Sequence, residues 1–77
     1  MIECEYTQDI RNHKHCKKKA EYVINWGNKP RPMLLPYNDQ NFVCEEHLHK
    51  IRKLMEGQRM EIYELDENNG RVKVEFT

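Results

Sequence analysis

The sequence predicts an α+β fold, one helix and a few short strands around a thin core. Three observations carry this. Residues 45–55 hold apolar side chains at helical spacing, residues 20–26 and 71–77 alternate with a period of two, and a Cys-x₂-His pair stands where the helix would begin.

Composition explains why a helix start of this kind matters. Seventy-seven residues allow one domain, expected over 1–77. Hydrophobic residues make up 38% and charged residues 34%, so apolar burial is limited. Chains this short commonly lean on disulfides, a metal or a partner. Three cysteines cannot all pair within one chain, which favours a reducing, cytoplasmic setting over a secreted disulfide scaffold. No charged-then-apolar leader is visible, and the longest apolar run is Met33-Leu34-Leu35, so no membrane association is expected.

In chain order, residues 1–19 read as a polar, basic, aperiodic loop. Residues 20–26 read as a strand that places Ala20, Tyr22, Ile24 and Trp26 on one face. Gly27-Asn28 opens a turn. Pro30, Pro32 and Pro36 punctuate the next segment, with Met33 to Leu35 expected as a short edge strand and Tyr37 to Asn41 as a turn-rich loop. Phe42 and Val43 lead into a helix over about 44–56. Glu45 and Glu46 suit the positive end of its dipole, Arg52 and Lys53 the negative end, and Gly57 ends it. His47, Ile51 and Leu54 share one helix face, with Leu48 and Met55 on an adjoining one. His49 points elsewhere. The tail, 58–77, reads as a hairpin: a strand at Met60–Leu65, a turn at Asp66-Glu67-Asn68-Asn69-Gly70, and a return strand from Arg71. In the return strand Val72, Val74 and Phe76 are expected inward. Trp26 and Tyr22 are expected as core residues over the helix, Met55 and Met60 as packing residues, and Tyr37 as the exposed aromatic.

The chemistry concentrates at Cys44 and His47. Three positions apart on one helix face, they can grip one ion. Cys4 and Cys16 add two soft ligands upstream. Cys4, Cys16, Cys44 and His47 form a complete Cys₃His set, which predicts one structural Zn²⁺. His13 is the alternative to Cys16, because His13-Lys14-His15-Cys16 puts several donors in reach. Three thiolates and one neutral imidazole leave a zinc site with one negative charge, which Lys17 to Lys19 would offset.

Cys4, the Cys16-Lys17-Lys18-Lys19-Ala20 stretch, the strand to Trp26 and Phe42-Val43-Cys44-Glu45-Glu46-His47-Leu48 together resemble treble-clef zinc fingers. The Cys-x₂-His-Leu helix start is similar to that of small bacterial and phage zinc proteins. The resemblance covers residues 4–56 and implies a ligand-bearing loop, a β-hairpin and a helix giving two more ligands. The separation of Cys4 from Cys16 departs from the usual tight knuckle. The hairpin at 58–77 lies outside the resemblance.

Formal net charge is zero, unevenly placed. Residues 1–33 carry seven Lys/Arg against four Asp/Glu, and residues 34–77 carry six against nine. Arg11, Lys14, Lys17, Lys18 and Lys19 form a basic cluster suited to phosphate contact, yet the neutral whole is unlike a dedicated nucleic-acid binder. The expected function is therefore a protein-binding module, an adaptor or inhibitor, with nucleic-acid binding through 11–19 as the alternative. Catalysis is not expected. Four protein ligands leave a zinc ion no open position, and no Asp/Asn/His set for a second metal, Ser/His/Asp arrangement or Gly-rich phosphate loop is visible. The sequence leaves the oligomeric state open.

Overall fold

The computed structural model of the protein describes residues 2–9, 11, 14–66 and 70–76, with side chains for all of these except Gln8, Asp9, Glu75 and Phe76. In chain order the elements are β1 (Thr7–Asp9), β2 (Lys14–His15), β3 (Tyr22–Asn25), β4 (Gln40–Val43), α1 (Glu45–Leu54), β5 (Glu61–Leu65) and β6 (Arg71–Phe76). It is a small α+β arrangement. The strands form a two-stranded ribbon, β1-β2, and a four-stranded antiparallel sheet in the order β4-β3-β5-β6.

The N-terminal segment is not the loop expected from its polarity. It doubles back as an antiparallel ribbon that extends past β1 and β2. Cys4 N–H donates to the Lys18 carbonyl, Cys16 N–H to Tyr6 and Ala20 N–H to Ile2, each at 2.8 Å. An isolated bridge joins Glu3 to Lys19. Charged side chains hid the strand signal because only one face of this ribbon is buried. Cys4, Tyr6 and Cys16 point inward, while Glu3, His15 and Lys17 are exposed. The ribbon also seals the edge of the main sheet: Glu5 N–H donates to the Phe42 carbonyl at 2.8 Å, and the Glu5 carboxylate accepts from Phe42 N–H at 2.7 Å.

β3 is the central strand, and both of its faces are buried. Ile24 faces the core that includes Ile51, Leu48 and Ile62, whereas Val23 lies on the opposite face beside its cross-strand partners Phe42 and Tyr63. The simple alternation around Ile24 therefore underestimates burial, since a central strand of a covered sheet need not show a polar face. Met33 to Leu35 form a turn rather than an edge strand. The hairpin partner of β3 is β4, which takes Gln40 and Asn41 out of the expected loop. Trp26 Nε1 donates to Asn41 Oδ1 at 2.8 Å, so this buried indole and buried amide satisfy one another.

Helix α1 begins as expected. Cys44 is its N-cap in an extended conformation (φ −81°, ψ 168°), and its carbonyl accepts the first intrahelical bond from Leu48 N–H at 2.9 Å. Glu45 and Glu46 occupy the first turn and Arg52 and Lys53 the last. Gly57 has φ +89°, a left-handed conformation that favours glycine just past a helix end. Leu54 departs from the expected buried face and is 59% exposed, whereas Met55, on the adjoining face one turn past Ile51, packs against the core.

The C-terminal hairpin continues the sheet begun by the first one. β5 pairs with β3 through four residues, Tyr22↔Glu64 to Asn25↔Glu61. Val72 and Val74 are not inward: they are 54% and 49% exposed. β6 is an edge strand: Val72 stands opposite exposed Glu64, and Val74 falls where the register shifts opposite Ile62/Tyr63. Part of the expected Asp66–Gly70 turn, residues 67–69, lies outside the described residues, as does the side chain of Phe76.

Candidate metal centre

The four expected ligands converge. One donor atom from each of Cys4, Cys16, Cys44 and His47 lies within 4.8 Å of all the others, and all four residues are buried. Two structural units deliver them. The helix gives Cys44 from its N-cap and His47 from its first turn, with Cys44 Sγ 3.4 Å from His47 Nδ1. The Cys44 side chain makes no capping hydrogen bond, which leaves the sulfur free to face the site.

The ribbon gives Cys4 and Cys16, and it resolves the long gap between them. Cys16 stands opposite Tyr6 on the ribbon, two residues along from Cys4. Residues two apart on a strand share a face. Cys4, Tyr6 and Cys16 therefore look the same way, toward the helix. A ribbon does the work of a tight knuckle. His13, the alternative to Cys16, lies outside the described residues. Cys16 is buried and its Sγ is 3.9 Å from Cys44 Sγ, while Cys4 Sγ is 3.5 Å from His47 Nδ1.

These separations test the fit to a metal. Tetrahedral zinc with bonds of about 2.3 Å to sulfur and about 2.0 Å to nitrogen places two sulfurs about 3.8 Å apart and a sulfur and nitrogen about 3.5 Å apart. The observed values of 3.9 Å for S–S and of 3.4 Å and 3.5 Å for S–N match those edges. A disulfide would need about 2.05 Å between sulfurs, and all three cysteines are free. The cluster could bind one metal ion, and its donor set and spacing are those of a zinc site.

Electrostatics describe the cluster without an ion. Burial pushes the Cys4 thiol up to about 12, so the group is held neutral until something stabilises its thiolate. Burial also lowers the His47 pKa, which keeps the imidazole neutral and its lone pair available. The positive end of the α1 dipole faces the same cluster and favours negative charge there.

Tyr6 completes the site and escaped the sequence reading. Its ring stacks on the His47 imidazole, with centroids 4.1 Å apart and planes 9° apart. The stack holds the ring with Nδ1 toward the sulfurs. The signal available was the Cys4-x-Tyr6 alternation between Glu3 and Glu5, read as loop because it is so short.

Of the basic cluster, Arg11, Lys14, Lys17, Lys18 and Lys19 all lie on the surface. Lys18 is engaged: its Nζ donates to Glu46 Oε1 at 2.7 Å, tying the ribbon to the helix beside the metal ligands. That contact raises the Lys18 pKa and lowers that of Glu46. No helix among the described residues is long and apolar enough to cross a membrane. No family model, curated protein or solved structure matches the chain.

Proposed function

We propose that the protein is a zinc-structured binding module of treble-clef type that acts by protein–protein contact, as an adaptor or inhibitor. The observation that carries this reading is the closed Cys₃His cluster. Four protein donors would fill a tetrahedral ion and leave no position for substrate or water, which suits a structural role and argues against catalysis. The treble-clef description draws support from the order of parts: a ribbon with two ligands, the β3-β4 hairpin, then a helix giving two more. Contact with a protein draws support from the neutral net charge and from large apolar side chains at the surface, Met33 and Tyr37 foremost.

The test has two steps. Metal content and native mass are measured for freshly purified, reduced wild type and for Cys16→Ser. One zinc per chain, lost in the variant, is expected. Metal-loaded and chelated protein are then compared as affinity baits. A specific protein held only by the loaded bait is the expected result. Failure of both baits to hold any protein would sink the protein-contact reading.

The exposed basic cluster favours a second reading, nucleic-acid binding through Arg11, Lys14, Lys17, Lys18 and Lys19. Lys18 is already committed to Glu46, which weakens that surface. Oligonucleotide binding that falls with salt and is lost on Lys17→Gln/Lys19→Gln substitution would favour this reading instead.

A further inference from the structure

The segment between β3 and β4 presents the two most exposed large apolar side chains among the described residues. Met33 is 91% exposed and Tyr37 88%. Both line one open concavity of about 520 Å³, together with Pro30, Arg31, Pro32 and Leu35. Large apolar side chains exposed together in one concavity, rather than scattered singly, mark a contact surface.

The segment is braced despite its exposure. Arg31 Nη2 donates to the Gly27 carbonyl at 3.1 Å, and Nη1 donates to the carbonyl of Asn38. The same guanidinium sits 4.2 Å from the centre of the Tyr37 ring. Asn41 Nδ2 donates to the Pro36 carbonyl at 3.2 Å, and Gln58 Nε2 to the Pro30 carbonyl at 2.8 Å. Three prolines restrict the backbone further. A surface held in one shape loses little entropy when it binds.

Charge selects the partner. The concavity is lined by Lys29 and Arg31 and by no carboxylate. The partners of Arg31 named above, two carbonyls and a ring, are uncharged, so they leave its positive charge unbalanced.

We propose that this loop is the docking surface for an acidic peptide segment of a partner protein. An apolar residue of the segment packs on Met33 and Tyr37, and its carboxylates face the Arg31 guanidinium. The inference rests on the protein-contact reading above and names its surface and the chemistry it recognises.

The experiment is selection of a displayed random-peptide library on the metal-loaded full chain, followed by anisotropy titration of the enriched peptides. Enrichment in Asp/Glu beside an aromatic or aliphatic residue is expected. Loss of one exposed anchor should weaken binding roughly tenfold or more, as at interface hot spots. The variants are Met33→Ser and Tyr37→Ala, whose side chains are almost fully exposed, so the fold is expected to persist; Lys17→Gln/Lys19→Gln is the control and should bind normally. Added salt should weaken binding. Peptides that bind wild type and both loop variants equally would overturn the loop assignment while leaving protein contact standing. Enriched peptides without acidic residues would overturn the partner chemistry. No enrichment would overturn the proposed surface outright, and the affinity-bait comparison then judges the protein-contact reading separately.

Discussion

Removing the proposed structural zinc should unfold this protein rather than loosen it. A domain of 77 residues has an ordinary stability of about 4–12 kcal/mol. Structural zinc in small finger domains contributes about 10–16 kcal/mol at neutral pH. The second range lies above most of the first, so little would remain. The structure says where the loss falls. Without a metal, the ribbon meets the helix through the Tyr6–His47 stack, the buried cysteines and one exposed ion pair, Lys18–Glu46. Water and salt screen that ion pair, so it cannot stand in for coordination. Losing even about 4 kcal/mol corresponds to a fall in Tm of roughly 16–32 °C for a domain of this size. The assay is thermal unfolding of the reduced protein, loaded and after chelation, followed by circular dichroism and by fluorescence of the buried Trp26. The metal-free chain should show no cooperative transition, or one lowered by that amount, with Trp26 emission shifted to the red. Cys16→Ser should resemble the chelated protein, because three donors remain. A metal-free protein melting within about 5 °C of the loaded one would refute the reasoning, since zinc would then be worth only about 1 kcal/mol.

Three further outcomes follow from the same geometry. Tyr6→Ala should weaken zinc binding and lower stability by about 3–5 kcal/mol, the range for truncating a buried aromatic. Tyr6→Phe keeps the stacking ring and should stay near wild type, as checked by competition with a chromophoric chelator and by urea unfolding; equal behaviour of the two variants would count against the stack. Cys4, with its pKa pushed up to about 12, is a thiol at neutral pH and must lose its proton to bind metal. The bound state therefore holds fewer protons, and apparent zinc affinity should rise roughly tenfold or more per pH unit between about pH 6 and 7.5. Affinity that is flat across this range would contradict that account. Asn41→Ala leaves the buried Trp26 N–H without its acceptor and should cost about 1–3 kcal/mol in urea unfolding, with the metal still bound.

The β3-β5 pairing also bears on how stable the hairpin at 58–77 is. A hairpin standing alone is marginal in water, but β5 is hydrogen-bonded on both sides, to β3 and to β6. Ile62 and Met60 are buried in the same core as Ile24 and Ile51. The hairpin and the metal-bearing elements thus share one apolar interior.

Local chemistry alone determined much of this molecule. Cys44-x₂-His47 followed by Leu48 and Ile51 specifies a helix start with two inward donors, since capping, charge placement and the 3.6-residue period all act within one turn. The β5-β6 strands were legible for a like reason, as hydrophobic alternation is a local property. Other features were decided only in three dimensions. Residues 1–19 look like a loop because their strands are short, charged and buried on one face; the partner that orders them, across the ribbon and against Phe42, is distant in sequence. Tyr6 joined the metal centre only when the ribbon turned it toward His47. Val72 and Val74 alternate like core residues, yet their place on an edge strand, with a register irregularity at Val74, leaves them half in water. The sequence determined which atoms could bind the metal, because donor chemistry belongs to each residue alone. Only the tertiary structure decided that Cys4 and Cys16, with eleven residues between them, arrive on the same side of the ion. That outcome depends on a backbone pairing register, which residue identity does not encode locally.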